Sequence, residues 1–343
     1  MKPTLRDIAK VTGVSPTTVS LVLSNRGNIS ENTRELVRRT ANELGYKRPR
    51  KDIEEAVSST NTIGLLFVID KSSSYLFNFI QPIIESLQQR VMENGFDIVL
   101  IPIYLSSTDD EIVRKVLKLQ VKAIVALHYG NINAFIRLED HDIPVVVVMN
   151  NKHQDKYYSV CSDDFQGAYK GTKYLIDLGH RRLAYVGCDR FNLEALQQDR
   201  YIGFLNAVNT LGIKFNESFK IEVDPEDMAQ LGYQIDALFN NTEPPTALFV
   251  LDDELAFRVM LLLNERNIAI PRDVSVIAAG DVLDYSKPYA PQITTMRINT
   301  ELIGTMTGEL LINRIRHAKK KIHVLKVNQE LIERGSCSSP ANA

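Results

Sequence analysis

The sequence predicts an α/β protein: an N-terminal all-α helix-turn-helix head, then a body of two doubly wound parallel-sheet subdomains. Three observations carry that expectation. Residues 1–51 are strongly basic and carry helix caps at short intervals. A polar stretch without core periodicity follows them. From residue 63, apolar strand-like runs alternate with amphipathic helical patterns, and the series occurs twice.

Thr4 with Asp7 three residues on is a capping-box pattern, so a first helix is expected from Leu5 to Val11. Gly13 supplies a turn. Ser15 caps a second helix, and Pro16 suits its first position, where a missing N–H costs nothing. Ile8, Ala9, Val14, Val19 and Val22 fall at spacings that bury one side of each short helix. Ser30 caps a third, ENTRELVRRTANEL, with Val37, Ala41 and Leu44 on one face and Gly45 at its end. Two short helices joined by a tight glycine turn and braced by a third form a helix-turn-helix. Pro16, Thr17 and Thr18 are small enough to let the second helix approach a base-pair edge, and its dipole end favours phosphate.

The net charge of −2 hides an asymmetry. Residues 1–51 hold 11 Lys and Arg against 4 acids, a net of +7, which leaves −9 for the remainder. A basic head on an acidic body suits a head that meets a polyanion, though a solvated basic helix explains the charge alone equally well. An all-helical cap on an enzyme would share the periodicity and would not call for the charge.

Residues 49–62 read as a hinge or linker after a head of 1–48. Strands are expected at 63–69, 97–103, 123–127 and 144–149, then at 182–187, 219–223, 247–251 and 274–279. Near-continuous apolar strands separated by helices imply parallel sheets covered on both faces, with ligands bound at the strand ends between two subdomains. The expected division is an N-subdomain of about 63–162 plus 296–320 and a C-subdomain of about 163–295 plus 321–343.

The composition, 44% hydrophobic and 24% charged over 343 residues, is that of an ordinary globular protein with room for several cores. No apolar run reaches the roughly 18 to 20 residues that cross a bilayer, and the charged start has no signal core. A cytoplasmic protein without membrane contact is expected. Cys161, Cys188 and Cys337 are far apart and fit reduced thiols.

Catalysis finds no support. There is no GxGxxG after the first strand, no GxxxxGK[ST] and no GxSxG, and the six histidines lack paired ligand spacing. Acidic groups such as Asp109-Asp110-Glu111 sit at expected helix starts, where carboxylates favour the dipole. Neither an enzymatic activity nor a cofactor or metal is expected.

With these elements in place, the run TLRDIAKVTGVSPTTVSLVLSNRGNISENTRELVRRTANELGY resembles the DNA-binding head of the lactose-repressor/galactose-repressor family of bacterial transcription regulators. The resemblance implies base contacts from Pro16, Thr17 and Leu21 in the major groove. It implies mainly phosphate contacts from Ser15, Thr18, Ser20, Asn25 and Arg34, and Thr4, at the head's first cap, is expected among the DNA-binding residues too. Leu21 stands where the family often has arginine, and Ser24 where it often has asparagine. Leucine packs on a thymine methyl, so an operator richer in T at that step is expected. The family's hinge drives a leucine into the minor groove from an Ala-Arg-x-Leu pattern, absent here; Ile53 or Val57 would serve as the wedge in a shifted register. Glu54 and Glu55 would be repelled by phosphate, which argues against a strongly kinked operator.

The body resembles the family too, as a periplasmic-binding-protein-like sensor. The anchors are SDDFQGAYKGTKYLIDLGHRRLAYVG (162–187), DRYIGF (199–204), VLDDELAF (250–257), IPRDVSVI (270–277), PQITTMRI (291–298) and ELIERGS (330–336). The resemblance implies an effector site in which Arg200 grips an oxygen or carboxylate. Asp281 would accept hydroxyl hydrogen bonds, Tyr75 and Phe77 would line the apolar side, and Asn150, Asn151 and Asp252 would add polar contacts. Tyr75, Phe77, His128 or Tyr129 could replace the absent tryptophan in stacking on a sugar, and His180 reads as a structural residue at a helix end. The implied function is a repressor that binds a pseudo-palindromic double-stranded DNA operator as a homodimer, controlled by a small-molecule effector expected to be a sugar. Phe79, Ile83 and Ile84 would supply dimer contacts. Control by a partner protein, and a sugar-binding module without regulatory role, remain alternatives.

Overall fold

A computed structural model describes residues 3–23, 29–46, 61–69, 74–104, 106–188, 194–224, 226–317 and 322–340. Asn25, Ile53 and Val57 lie outside them. The chain divides into two compact units, a head within residues 1–61 and a body of residues 62–119 and 123–343.

The head's described residues form α1 (Leu5–Thr12), α2 (Pro16–Leu23) and α3 (Glu31–Glu43). Ile8, Ala9, Val19, Val22, Val37 and Ala41 are its buried core. Gly13 turns the chain at φ +70°, a left-handed conformation that suits glycine. One face was misread: Leu44 follows the last helical turn and is exposed, while Thr40 is buried beside Ala41. The 3.6-residue period drifts off a face when the helix stops one residue early.

The body begins with β1 (Thr62–Val68), α4 (Ser74–Met92), β2 (Asp97–Ile103), α5 (Asp109–Leu119), β3 (Ala123–Leu127), α6 (Ile132–Asp140), β4 (Val145–Val148) and β5 (Tyr158–Ser162). There follow α7 (Asp164–Asp177), β6 (Leu183–Cys188), α8 (Glu194–Thr210), β7 (Lys220–Val223), α9 (Met228–Phe239), β8 (Ala247–Val250), α10 (Asp253–Glu265), β9 (Ser275–Gly280) and β10 (Thr294–Arg297). The last elements are α11 (Thr300–Arg316), β11 (Val324–Val327) and β12 (Glu330–Ile332). The first sheet runs β11-β5-β4-β3-β1-β2 and the second β12-β10-β9-β8-β6-β7. The strand pairs are parallel except β10 with β12. Each sheet with its helices makes a lobe, and the chain crosses between lobes after β5, after β10 and after β11.

All eight expected strands are present. Strands β5, β10, β11 and β12 were not anticipated: they are short and rich in Ser, Thr, Lys or Glu, and owe their place to pairing at the lobe junctions. β11 pairs with β5 in the first sheet, so the expected assignment of everything after 320 to the second subdomain is corrected to begin after Val327.

Close helix packing shapes the first lobe. A Cβ on Gly304 of α11 would fall on the Ser86 hydroxyl and the Ile83 carbonyl of α4. Phe79 and Ile83 belong to this interior, 7% and 1% exposed, and Ile84 packs against it. For Phe79 and Ile83 the expectation of dimer contacts is corrected, because the chain itself covers them: an amphipathic helix shows from sequence which face is apolar, not what covers it.

Candidate DNA-binding head and ligand cleft

The head presents its second helix as the sequence led us to expect. The Ser15 Oγ accepts the Thr18 N–H at 3.0 Å and exchanges a hydrogen bond with the Thr18 hydroxyl at 2.8 Å. Thr4 closes the other cap, its N–H and hydroxyl donating to the Asp7 carboxylate at 2.8 and 2.7 Å. With Val19 and Val22 drawn into the core, Pro16 and Thr17 are exposed and Thr18, Ser20 and Leu21 half-buried. Arg34 Nε donates to the Ile29 carbonyl at 3.2 Å, so this side chain also holds the entry to α3. The arrangement offers small side chains and a helix N-terminus to a polyanion.

In the body, the expected ligand residues stand where parallel strands end. Asn150 and Asn151 follow β4, Asp252 follows β8 and Asp281 follows β9; Arg200 is on α8. Tyr75 and Phe77 are in the first turn of α4, with side chains outside the described residues.

Asn151 donates to the Asp199 carboxylate at 2.5 Å, joining a first-lobe loop to a second-lobe helix. Burial holds Asp199 above the usual carboxylate range. Asn150 accepts the Lys152 N–H at 2.9 Å and lies so close to Gly130 that a Cβ there would meet its amide at 2.8 Å. His128 follows β3 directly, with φ +53° and its N–H on the Val148 carbonyl at 2.9 Å. Its Nε2 is buried and has no hydrogen-bond partner among the described residues. Burial pushes its pKa down to about 4, so the imidazole is neutral.

Arg200 is 4% exposed. Its Nε and Nη2 both donate to Asp164 Oδ1 at 2.9 Å, and its Nη1 donates to the Leu251 carbonyl at 2.5 Å. Asp252, next in the chain, accepts the Leu255 N–H at 2.8 Å as the cap of α10. Asp281 is heavily engaged: it accepts from the Thr295 hydroxyl at 2.7 Å, Arg297 Nε at 2.5 Å and Arg334 Nη2 at 2.7 Å. These partners hold its pKa below the usual value against the opposing effect of burial.

Sequence reasoning missed the residues behind the site. Asp164 and Asp253 each follow a capping aspartate at a helix start, a place where acids are expected for the dipole alone. Only the first of each pair caps its helix. Asp253 is buried and accepts the Val282 N–H at 2.8 Å, the Leu283 N–H at 2.9 Å and the Tyr285 hydroxyl at 3.0 Å, which anchors the loop after Asp281. Burial raises its pKa to about 7 in spite of these bonds. His180 proves structural, tied to Thr246 at 2.9 Å and to Ser275 and the Ser338 carbonyl at 3.1 and 2.9 Å. The Cys161 thiol, pushed up to about 12 by burial, is no nucleophile at neutral pH.

Residues 4–49 match the family of bacterial regulatory proteins, lacI family, and residues 172–337 match the periplasmic binding protein-like domain. The chain is 27% identical over 350 residues to the HTH-type transcriptional repressor PurR of Pasteurella multocida, covering 98% of this chain and 99% of that protein. A PurR repressor of Vibrio atlanticus is 28% identical over 341 residues, 97% and 98% of the two chains. Among solved structures, a transcriptional regulator CelR–cellobiose complex is similar with TM-score 0.71 and 24% identity, over 98% of this chain and 100% of the other. The lac repressor dimer bound to operator and the anti-inducer ONPF aligns with TM-score 0.68 and 21% identity over the same shares. A basic helix-turn-helix joined to a two-lobed sensor, matched end to end by transcriptional repressors, identifies the chain as a member of the lacI family of bacterial regulatory proteins: a DNA-binding transcription regulator rather than an enzyme.

Proposed function

We propose that the protein acts in the cytoplasm as a homodimeric repressor of a pseudo-palindromic operator, released or recruited by a neutral sugar or sugar derivative. One observation carries the choice of effector class: the cleft's arginine is already neutralised. The Arg200–Asp164 pair leaves no net charge for a carboxylate or phosphate ligand to balance, while the guanidinium fork retains N–H donors that suit a hydroxyl. Asp281 is itself taken up by Arg297 and Arg334, so it offers no free carboxylate. Asn150, Asn151, Asp252 and His128 Nε2, which has no partner among the described residues, would add the short polar contacts that hydroxyl groups need, with Tyr75 and Phe77 on the apolar side. Two structural neighbours were solved with cellobiose and with ribose, which supports the same class.

On the DNA side, Pro16, Thr17 and Leu21 would read base edges, with Ser15, Thr18, Ser20, Asn25 and Arg34 on phosphates and Ile53 or Val57 in the minor groove. Two heads on a two-fold axis would read two half-sites. Coupling of effector to operator in such systems is about 1–3 kcal/mol and is reciprocal. Operator fragments selected from genomic DNA, then titrated against a panel of neutral sugars and their acidic and phosphorylated derivatives, test the reading. A neutral sugar that changes operator affinity about fivefold or more supports it. A response confined to the anionic compounds would overturn the effector class.

A further inference from the structure

We propose that Asp164 is a positioning residue that transmits the state of the effector cleft to the interlobe crossovers, by holding Arg200 and two of the three crossovers on one carboxylate. The proposal rests on the reading of Arg200 as an effector contact.

Asp164 lies at the first crossover, where β5 gives way to α7. It is 1% exposed. Its Oδ2 accepts the hydroxyl of Ser162, the last residue of β5, at 2.7 Å. Its Oδ1 accepts Gln329 Nε2 at 3.0 Å, and Gln329 lies in the two-residue crossover between β11 and β12. The same Oδ1 takes both Arg200 bonds at 2.9 Å. Ser162, Gln329 and Arg200 are all buried. The packing is built around this contact: a Cβ on Gly167, one turn into α7, would fall on the Gln329 amide. Arg200 continues the chain of contacts through the Leu251 carbonyl to Asp252.

Physics makes such a cluster a transmitter rather than a passive brace. A buried ion pair cannot stretch far without exposing an uncompensated charge to a low-dielectric interior. A ligand that draws the guanidinium toward itself therefore changes the hold on Asp164, and the crossovers tied to Asp164 feel that change. Lobe closure has to be absorbed by backbone rotation in those short crossovers. The third, at Ile298 and Asn299, is held instead by the Ile298 N–H on the Gly280 carbonyl at 3.2 Å and serves as an internal control.

Amide hydrogen exchange on the full chain, without added ligand, tests the linkage. Asp164→Asn is expected to raise exchange about tenfold in residues 162–163 and 328–330 while leaving 298–299 at parental protection. Arg200→Lys should loosen the same two segments, and should add nothing further in the Asp164→Asn background. Gly167→Ala, which displaces Gln329 and touches neither charge, should loosen 328–330 alone. Independent, additive effects of Arg200→Lys and Asp164→Asn would overturn the proposal. So would equal loosening of all three crossovers in Asp164→Asn. The reading of Arg200 is checked separately by thermal shifts with cellobiose and with ribose. A shift present in the parent and lost in Arg200→Lys supports it; an unchanged shift removes Arg200 from the ligand site, whatever the exchange pattern.

Discussion

Asn151, on the loop after β4, donates a 2.5 Å hydrogen bond to Asp199 on α8, one residue before the buried Arg200. The bond spans the two lobes beside the cleft. A hydrogen bond to a charged acceptor is the stronger kind, but Asp199 is half-buried, so part of that strength is screened. Asn151→Ala is expected to loosen the closed arrangement and weaken effector binding by about fivefold, with little change in thermal stability. Titration calorimetry of parent and variant checks this; unchanged affinity would show that closure does not depend on the bond.

Base reading is expected to respond to Leu21. Leu21→Arg should shift one position in each operator half-site from T toward G, with discrimination of about 1–3 kcal/mol. Binding-site selection on randomised DNA reads the change directly. An identical preferred sequence for parent and variant would remove Leu21 from the base-reading set.

Acid should act on the two lobes in opposite senses. Asp253, raised to about 7, holds its proton more tightly in the folded state than in the unfolded chain. Its contribution to stability therefore grows as pH falls from about 7 toward 4. His128, lowered to about 4, takes up a proton less readily when folded, so its contribution is lost as pH falls from 6.5 toward 4. Melting temperatures measured near neutrality and near pH 5 should show Asp253→Asn losing an acid-dependent gain and His128→Asn losing an acid-dependent penalty. Matching pH profiles for parent and both variants would contradict these assignments.

Close packing of α11 on α4 leaves no room for a side chain at Gly304. Gly304→Ala must push the Ser86 hydroxyl and the Ile83 carbonyl aside, and backbone cannot yield as a flexible side chain can. A destabilisation of about 1–3 kcal/mol is expected, despite alanine's better helix propensity. Chemical denaturation of the two proteins measures it; a more stable variant would mean that the helices slide apart at little cost.

The head was legible because its determinants are local. A cap and its hydrogen-bond partner lie three residues apart, a left-handed turn demands glycine, and helical period alone selects Val19 and Val22 as core. The eight principal strands were legible for a related reason: a parallel strand buried on both faces needs an unbroken apolar run. Where burial was shared between distant segments, that information failed. Phe79 and Ile83 form an apolar helix face whichever surface covers it, and only the packing of α11 showed that the surface is internal.

Sequence by itself determined the basic reader, the two-layered repeat of strands and helices, and the identity of the polar residues at the strand ends. Tertiary structure alone decided their partnerships. Asp164 meets Gln329 across 165 positions of chain, and Asp281 meets Arg334 through a fold that brings β9 and β12 to either side of β10. Polar groups so far apart along a chain carry no mutual signature in composition or period. Their pairing is set by topology, and the low dielectric of the interior then makes each pairing obligatory.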